Sequence, residues 1–197
     1  MHQIRLVASA LLGAMLCGGA AGAAQPAGAP AAAGHAAVWQ PYDILVHLTG
    51  LPRPYTCDEL WYKFRGVLVS LGAGRIDEVT PSDCASPSPT VHVRFVLPRL
   101  VHGDAARYED IQAEQRTIEL APGDVAHLQP SDCHLMREIR QSLLTDLPVK
   151  VVSAQFACRD ESAAGTSHTR STSAARDHYQ VRVEALMPLW PERTAAR

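Results

Sequence analysis

The stretch TCDELWYKFRGVLVSLGAGRIDEVTPSDC, residues 56–84, decides the fold of this chain. Thr56 and Glu59 have the spacing of a capping box, in which each side chain bonds a backbone N–H group of the other residue at a helix start. Gly72 stands where a left-handed residue commonly ends a helix. The stretch therefore predicts a capped helix, a glycine turn and a short strand over residues 75–80. Its apolar residues recur on one helical face: Leu60, Phe64, Val67, Leu68 and Leu71.

A second stretch, SDCHLMREIRQSLLTDLPVKVVSAQFAC at residues 131–158, has the same pattern. Ser131 takes the N-cap position of Thr56, and Pro148 ends the helix because proline cannot continue it. A strand over residues 149–158 follows. Its shared face is expected to hold Val152, Ala154, Phe156 and Cys158. The aligned apolar pairs of the two helices are Leu60 with Leu135, Phe64 with Ile139, and Leu68 with Leu143.

Alternating apolar residues predict strands on both sides of each helix. The strands are expected at residues 42–48, 90–97, 117–120 and 179–187. Each half then has the order β-α-β-β, with a first repeat at 38–98, a connector at 99–115 and a second repeat at 116–188. The predicted fold class is α+β: a duplicated β-α-β-β unit that forms a mostly antiparallel sheet with both helices packed on one face. The alternative is two ordinary helix-strand units that look alike because few patterns exist.

The cysteines indicate an oxidising compartment. Five are present, and one of them, Cys17, lies in the N-terminal leader. An even number of remaining cysteines in an exported chain favours disulfides. The repeat favours one bridge in each half, Cys57 with Cys84 and Cys133 with Cys158. Redox or metal chemistry is the rival interpretation, but the chain has no C-x-x-C pair, so we expect no metal and no cofactor.

Residues 1–23 have the features of a secretory signal peptide: one positive charge, an apolar run too short to span a bilayer, and a small-residue cleavage site at Ala21-Gly22-Ala23. We expect a flexible Ala/Gly/Pro-rich tether at residues 24–37 and a loose C-terminal tail at residues 189–197. The Ala-rich leader favours the periplasm of a Gram-negative bacterium, or the medium, with no transmembrane segment after cleavage. Lipid attachment at Cys17 is the alternative.

The net charge of −2 offers no basic surface for nucleic acid, so we expect partners of another class. If both helices cover one face of the sheet, the polar sides of its two clearest strands lie on the other, open face. Those polar residues are His92, Arg94, Gln180, Arg182 and Glu184. We therefore predict a non-catalytic module that binds an unknown protein or an envelope component, with this face as a possible binding surface. An ordinary solvated sheet is the alternative interpretation.

Two further functions stay open. No nucleophile elbow, H-E-x-x-H pair or phosphate-binding glycine loop occurs, but an enzyme site can assemble from distant residues. The candidate acid-base groups between the repeats are His47, His92 and His134. The segment Pro52-Arg53-Pro54 is a candidate inhibitory loop for a hydrolase.

Trp61 and Tyr62 flank the apolar stripe of the first helix, and we assign them to the edge of the core rather than to a binding platform.

The order helix-strand-strand, found twice in an exported chain, resembles that of BON domains, small envelope modules linked to phospholipid or membrane association. The resemblance covers residues 56–187 and concerns the order of elements. BON modules are not built around cysteines, and their glycine-marked strand turns do not occur here. No residue role is carried over from them.

Overall fold

A computed structural model describes residues 34–101, 111–159 and 177–189. Its elements in chain order are β1 (His35–His47), α1 (Cys57–Ser70), β2 (Arg75–Ser82), β3 (Thr90–Leu100), β4 (Ile111–Leu120), α2 (Cys133–Ser142), β5 (Lys150–Ala157) and β6 (His178–Pro188). The predicted signal peptide, the Cys17 lipid alternative, most of the tether and most of the C-terminal tail lie outside the described residues. Neither described helix has the length and apolar character needed to cross a bilayer.

All the strand pairs are antiparallel, and they form a six-stranded sheet in the order β2-β3-β1-β4-β6-β5. Within each half the last strand lies between the other two, so the halves share the same connections and the same pairing. The α+β class is thereby confirmed. Descent of the two halves from one duplicated unit stays a prediction, since similar topology alone does not establish it.

Helix α1 begins and ends as its sequence predicts. The Thr56 Oγ1 atom accepts a hydrogen bond from the Glu59 N–H at 3.1 Å, and the Glu59 carboxylate accepts the Thr56 N–H at 2.8 Å. Gly72 has a φ of 85°, the left-handed backbone that favours glycine. The predicted apolar stripe is buried throughout: Leu60, Phe64, Val67, Leu68 and Leu71.

One face of the sheet packs against both helices, and the side chains of strands and helices form a single core. The inward residues of β3 are at most 2% exposed, as their alternation predicts: Val91, Val93, Phe95 and Leu97. Strand β6 and helix α2 each contribute three side chains to this core. They are Tyr179, Val181 and Val183 of β6, and Leu135, Met136 and Ile139 of α2. We call the opposite side of the sheet, which carries His92 and Arg94, the outer face.

Two disulfides staple the fold, and both predicted pairings are confirmed. Cys57 bonds Cys84 and Cys133 bonds Cys158, with Cα–Cα distances of 5.4 Å in each bridge. Each bridge ties the first residue of a helix to the chain just beyond the next strand. Because such bonds form and persist in oxidising environments, the chain is a protein of an oxidising compartment.

Helix α2 does not begin at the predicted N-cap. Ser131 is exposed within a short 3₁₀ turn, Pro130–Asp132, and α2 starts after it at Cys133. Asp132, the last residue of that turn, is fully buried. Its carboxylate is paired with Lys63 of α1, in the first half of the chain.

Two strands begin earlier than their alternation predicts. β1 starts at His35 and β4 at Ile111, so the ends of the predicted tether and connector are strand. Residues 35–37 pair with residues 111–113, which joins the two halves of the sheet. The backbone hydrogen bonds of these strand ends come from a segment far away in the sequence, so the local residue pattern does not predict them.

Val152 does not share the inner face of β5, contrary to the prediction. A β-bulge lies there, because Val151 pairs with Val183 while Ser153 pairs with Arg182. Val152 is the extra residue of the bulge and is 49% exposed. The other members of the predicted face do pack against the core: Ala154, Phe156 and Cys158.

Candidate functional site

A buried ion pair connects the two halves of the chain. The Asp132 carboxylate accepts a hydrogen bond from Lys63 Nζ at 2.6 Å and one from the Gln129 N–H at 2.8 Å. Asp132 is 0% and Lys63 4% exposed. The second carboxylate oxygen of Asp132 accepts hydrogen bonds from the Tyr55 hydroxyl at 3.2 Å and from the Arg53 guanidinium at 3.4 Å. The carboxylate is thus fully bonded where the start of α2 meets α1.

Two tyrosines complete this buried cluster. Burial raises the pKa of the Tyr55 hydroxyl, and the charge of Asp132 raises it further. Burial likewise raises the pKa of Tyr179, whose hydroxyl has no hydrogen-bond partner among the described residues. Both phenols stay protonated at physiological pH. Tyr55, Lys63, Asp132 and Tyr179 are at most 4% exposed, so this cluster lies within the core.

The loop after β4, residues 121–129, lies against α1 and is held there at two points. Lys63 Nζ donates a hydrogen bond to the His127 carbonyl oxygen at 2.9 Å, and His127 has a φ of 67°. A Cβ atom at position 66 would lie 2.5 Å from the Ala126 carbonyl oxygen, so only Gly66 permits this approach. The loop therefore forms a fixed wall beside the helix.

A cavity of about 450 Å³ lies between this loop and the solvent side of α1. We call it the α1 cavity. Its main lining residues are Trp61, Tyr62, Arg65, Val69, Asp124 and His127. The volume falls within the range of about 300–1,000 Å³ that is usual for ligand sites, and an open apolar cavity with a few polar groups is the usual form of such a site.

The aromatic wall of the α1 cavity is held by ring contacts. Trp61 and Tyr62 meet edge to face with ring centroids 4.8 Å apart, and the His127 ring lies 4.9 Å from Tyr62. Trp61 packs against the core as predicted, whereas Tyr62 is 48% exposed. The assignment to the core edge thus fits Trp61 and does not fit Tyr62, which presents its ring to solvent.

The two charged groups at the rim of the α1 cavity, Arg65 and Asp124, have no oppositely charged partner among the described residues. The Arg65 guanidinium lies 5.3 Å from the centroid of the Trp61 ring and has no carboxylate partner among the described residues. The Asp124 carboxylate has no hydrogen bond or ion pair to any residue that the structure describes. The rim therefore offers one cation and one anion to a ligand.

The predicted outer-face residues of the first half are bonded to their neighbours. His92 Nε2 lies 2.6 Å from Asp43, and Arg94 forms an ion pair with Glu78 at 2.8 Å. The hydrogen bond to Asp43 raises the pKa of His92, with Glu78 adding to the effect. A hydrogen bond from Thr80 lowers the pKa of Glu78, and the charge of Arg94 lowers it further. The charges here compensate one another.

The outer-face residues of the second half form a similar network. Gln180 donates a hydrogen bond to Glu119, and Arg182 lies 3.6 Å from the same carboxylate. Glu184 pairs with Lys150 at 3.1 Å. All five predicted residues thus lie on the outer face, in two clusters, but each already has a partner within the chain.

The structure does not bring the candidate acid-base histidines together. His47 and His92 lie on the outer face of neighbouring strands, while His134 is buried on α2, on the side that the helices cover. The ring of His134 bonds the Arg159 carbonyl oxygen and the Arg137 side chain. Among the described residues, no group of three or more His, Cys, Asp or Glu side chains is placed to hold a metal ion.

The candidate inhibitory loop turns its arginine inward. The Arg53 guanidinium stacks 3.9 Å from the Tyr55 ring centroid and pairs with Asp132 and with Glu59. A side chain that enters a hydrolase pocket projects from its loop, and Arg53 contacts its own fold instead. This arrangement does not favour the inhibitor hypothesis.

A second cavity, of about 540 Å³, lies beside β2, where the pairing with β3 shifts register between Ile76 and Glu78. Its charged lining residues include Arg75 and Arg94, and these are neutralised by Asp77 at 2.8 Å and by Glu78. Because its charges are paired within the chain, this cavity offers a ligand less than the α1 cavity does.

The chain matches no protein-family model, and no curated protein or solved structure is significantly similar to it. The resemblance to BON domains stays one of element order, and it assigns no residue a role. The fold and the site define a disulfide-stapled α+β module with an open aromatic cavity beside its first helix.

Proposed function

We propose that this protein is an exported, non-catalytic binding module whose macromolecular partner contacts the α1 cavity. The observation that carries the proposal is the exposed Tyr62 ring, which is held between Trp61 and His127 at the mouth of that cavity. Exposed tyrosine and tryptophan side chains that are already ordered supply much of the binding energy at protein interfaces.

The distribution of titratable groups supports binding over catalysis. Groups with shifted pKa values gather at catalytic sites, because acid-base chemistry needs them there. In the described chain the groups with shifted pKa values are Tyr42, Tyr55, Glu59, Glu78, His92 and Tyr179. None of these residues lines the α1 cavity.

The predicted signal peptide at residues 1–23 and the two disulfides support a location outside the cytoplasm. The partner that this compartment offers is a component of the cell envelope or a secreted macromolecule. Since the outer-face side chains are paired with one another, the α1 cavity is the better candidate for the contact than the outer face.

Replacing Tyr62 by alanine should weaken retention of the mature protein on washed envelope fractions of the producing bacterium by at least about tenfold, because truncation of a central aromatic contact costs about 2 kcal/mol or more. The measurement is a cosedimentation titration. The matched control is Val152→Ala, since Val152 is 49% and Tyr62 48% exposed. Retention that survives Tyr62→Ala and is lost in Arg182→Ala would assign binding to the outer face instead.

A further inference from the structure

We infer that the ligand group seated in the α1 cavity is a neutral saccharide, with one sugar ring against the Trp61–Tyr62 wall. This inference rests on the proposed function and deepens it by naming the class of ligand. It follows from three features of the cavity: the aromatic wall, the balance of its polar rim and its prior organisation.

The aromatic wall suits the apolar side of a sugar ring. An aromatic ring carries negative charge on its face, which attracts groups of positive polarity. A pyranose presents a patch of polarised C–H groups on one side and hydroxyl groups around its edge. Tyr62 is 48% exposed, and Trp61 supports it from the core side through an edge-to-face contact at 4.8 Å, so the exposed part of the Tyr62 ring is the surface that such a patch can contact.

The rim suits hydroxyl groups better than a ligand of a single net charge or a hydrocarbon. Arg65 can only donate hydrogen bonds, Asp124 can only accept them, and Ser70 can do both. An anionic ligand would satisfy Arg65 and repel Asp124, and a cationic ligand would do the reverse. A hydrocarbon would cover both charges without bonding either, which is costly. Sugar hydroxyls donate and accept, and they therefore satisfy both groups without net charge.

The site is organised before a ligand arrives. The Tyr62 ring contacts the His127 ring, and Lys63 holds the backbone of the same residue through its carbonyl oxygen. The close approach of Gly66 to Ala126 keeps the loop against the helix. Because little has to be ordered on binding, even a ligand with few contacts, such as a sugar ring, can bind measurably.

The test is calorimetric titration of the mature, disulfide-bonded protein with three neutral probes: chitotetraose, cellotetraose and maltotetraose. We expect at least one to bind saturably with one site per chain. Tyr62→Ala and Asp124→Ala should each raise its dissociation constant by at least about tenfold. Asp146→Ala is the control, because Asp146 is also exposed but lies beyond α2, away from the cavity. It should bind like wild type.

Pull-down on purified, washed peptidoglycan separates the two possible sources of the sugar. Binding to peptidoglycan that depends on Tyr62 indicates an envelope glycan and supports both the saccharide inference and the proposed macromolecular partner. Binding to tetrasaccharides alone, with the same dependence on Tyr62, indicates a free oligosaccharide; it supports the saccharide inference and argues against a macromolecular partner. If wild type binds none of these probes while envelope retention still depends on Tyr62, the saccharide inference is overturned and the binding function stands. If envelope retention is unaffected by Tyr62→Ala, the proposed function itself fails.

Discussion

Replacing Asp132 by alanine should lower the free energy of unfolding by about 3–5 kcal/mol, because it leaves the Lys63 ammonium group buried without its counter-charge. The two charged atoms lie 2.6 Å apart, and both side chains are at most 5% exposed. The loss should appear in urea unfolding of the oxidised protein, followed by circular dichroism. It is a large fraction of the roughly 5–15 kcal/mol that stabilises an ordinary domain.

Two variants serve as controls for this expectation. Asp146→Ala removes an exposed carboxylate and should change stability by no more than about 0.5 kcal/mol. The double variant Lys63→Met with Asp132→Leu removes both charges and should recover much of the loss, since apolar pairs often replace buried ion pairs without cost. If Asp132→Ala unfolds at the same urea concentration as Asp146→Ala, the buried pair does not hold the halves together.

Replacing Cys84 by alanine should lower the free energy of unfolding by about 3.5 kcal/mol, because the bridge to Cys57 closes a loop of 27 residues and so restricts the unfolded chain. The variant also frees the exposed thiol of Cys57 at the start of α1, where a helix N-terminus favours the thiolate. Urea unfolding measures the first effect, and iodoacetamide labelling with peptide mapping measures the second.

The double variant Cys57→Ala with Cys84→Ala separates these two effects. It should be about as unstable as Cys84→Ala and should take up no label, because it has no unpaired thiol in the first half. A Cys84→Ala protein that melts like wild type would argue against the staple. If Cys57 takes no label because it has paired with Cys133 or Cys158, the fold does not keep the cysteines of the two halves apart once Cys84 is removed.

The features that the sequence predicts correctly depend on neighbours along the chain. The capping box of Thr56 and Glu59 and the left-handed Gly72 arise within a few residues, so local spacing identifies them. Apolar and polar residues alternate over residues 90–97, and this pattern indicates a strand with one buried face whichever strands lie beside it. The disulfide pairing followed from the similarity of the two halves, which is a longer-range pattern but one that the sequence displays.

The features that it misses depend on contacts between distant segments. The burial of Asp132 depends on its partner, Lys63, which lies in the other half of the chain. The sequence does indicate that Lys63 is buried, because Lys63 follows Leu60 by three residues and so lies on the buried face of α1. The bulge at Val152 likewise depends on the register with β6, which no property of β5 alone determines.

The α1 cavity also could not be predicted from local pattern. It exists because residues 121–129 lie against α1, and Gly66 in the middle of that helix was the one residue that hinted at a close neighbour. The same contact decides that Tyr62 is exposed beside His127 rather than buried at the core edge.

Site-specific photo-crosslinking in cells that export the protein shows directly whether a partner contacts the α1 cavity. A benzophenone side chain placed at Tyr62 reports on the α1 cavity, and one at Val152 reports on an apolar site of equal exposure, 49% against 48%, on β5. We predict a discrete crosslinked adduct with an extracytoplasmic partner from position 62, and none from position 152. The same adducts from both positions, or an adduct from Val152 alone, would contradict the claim that the α1 cavity is the binding site.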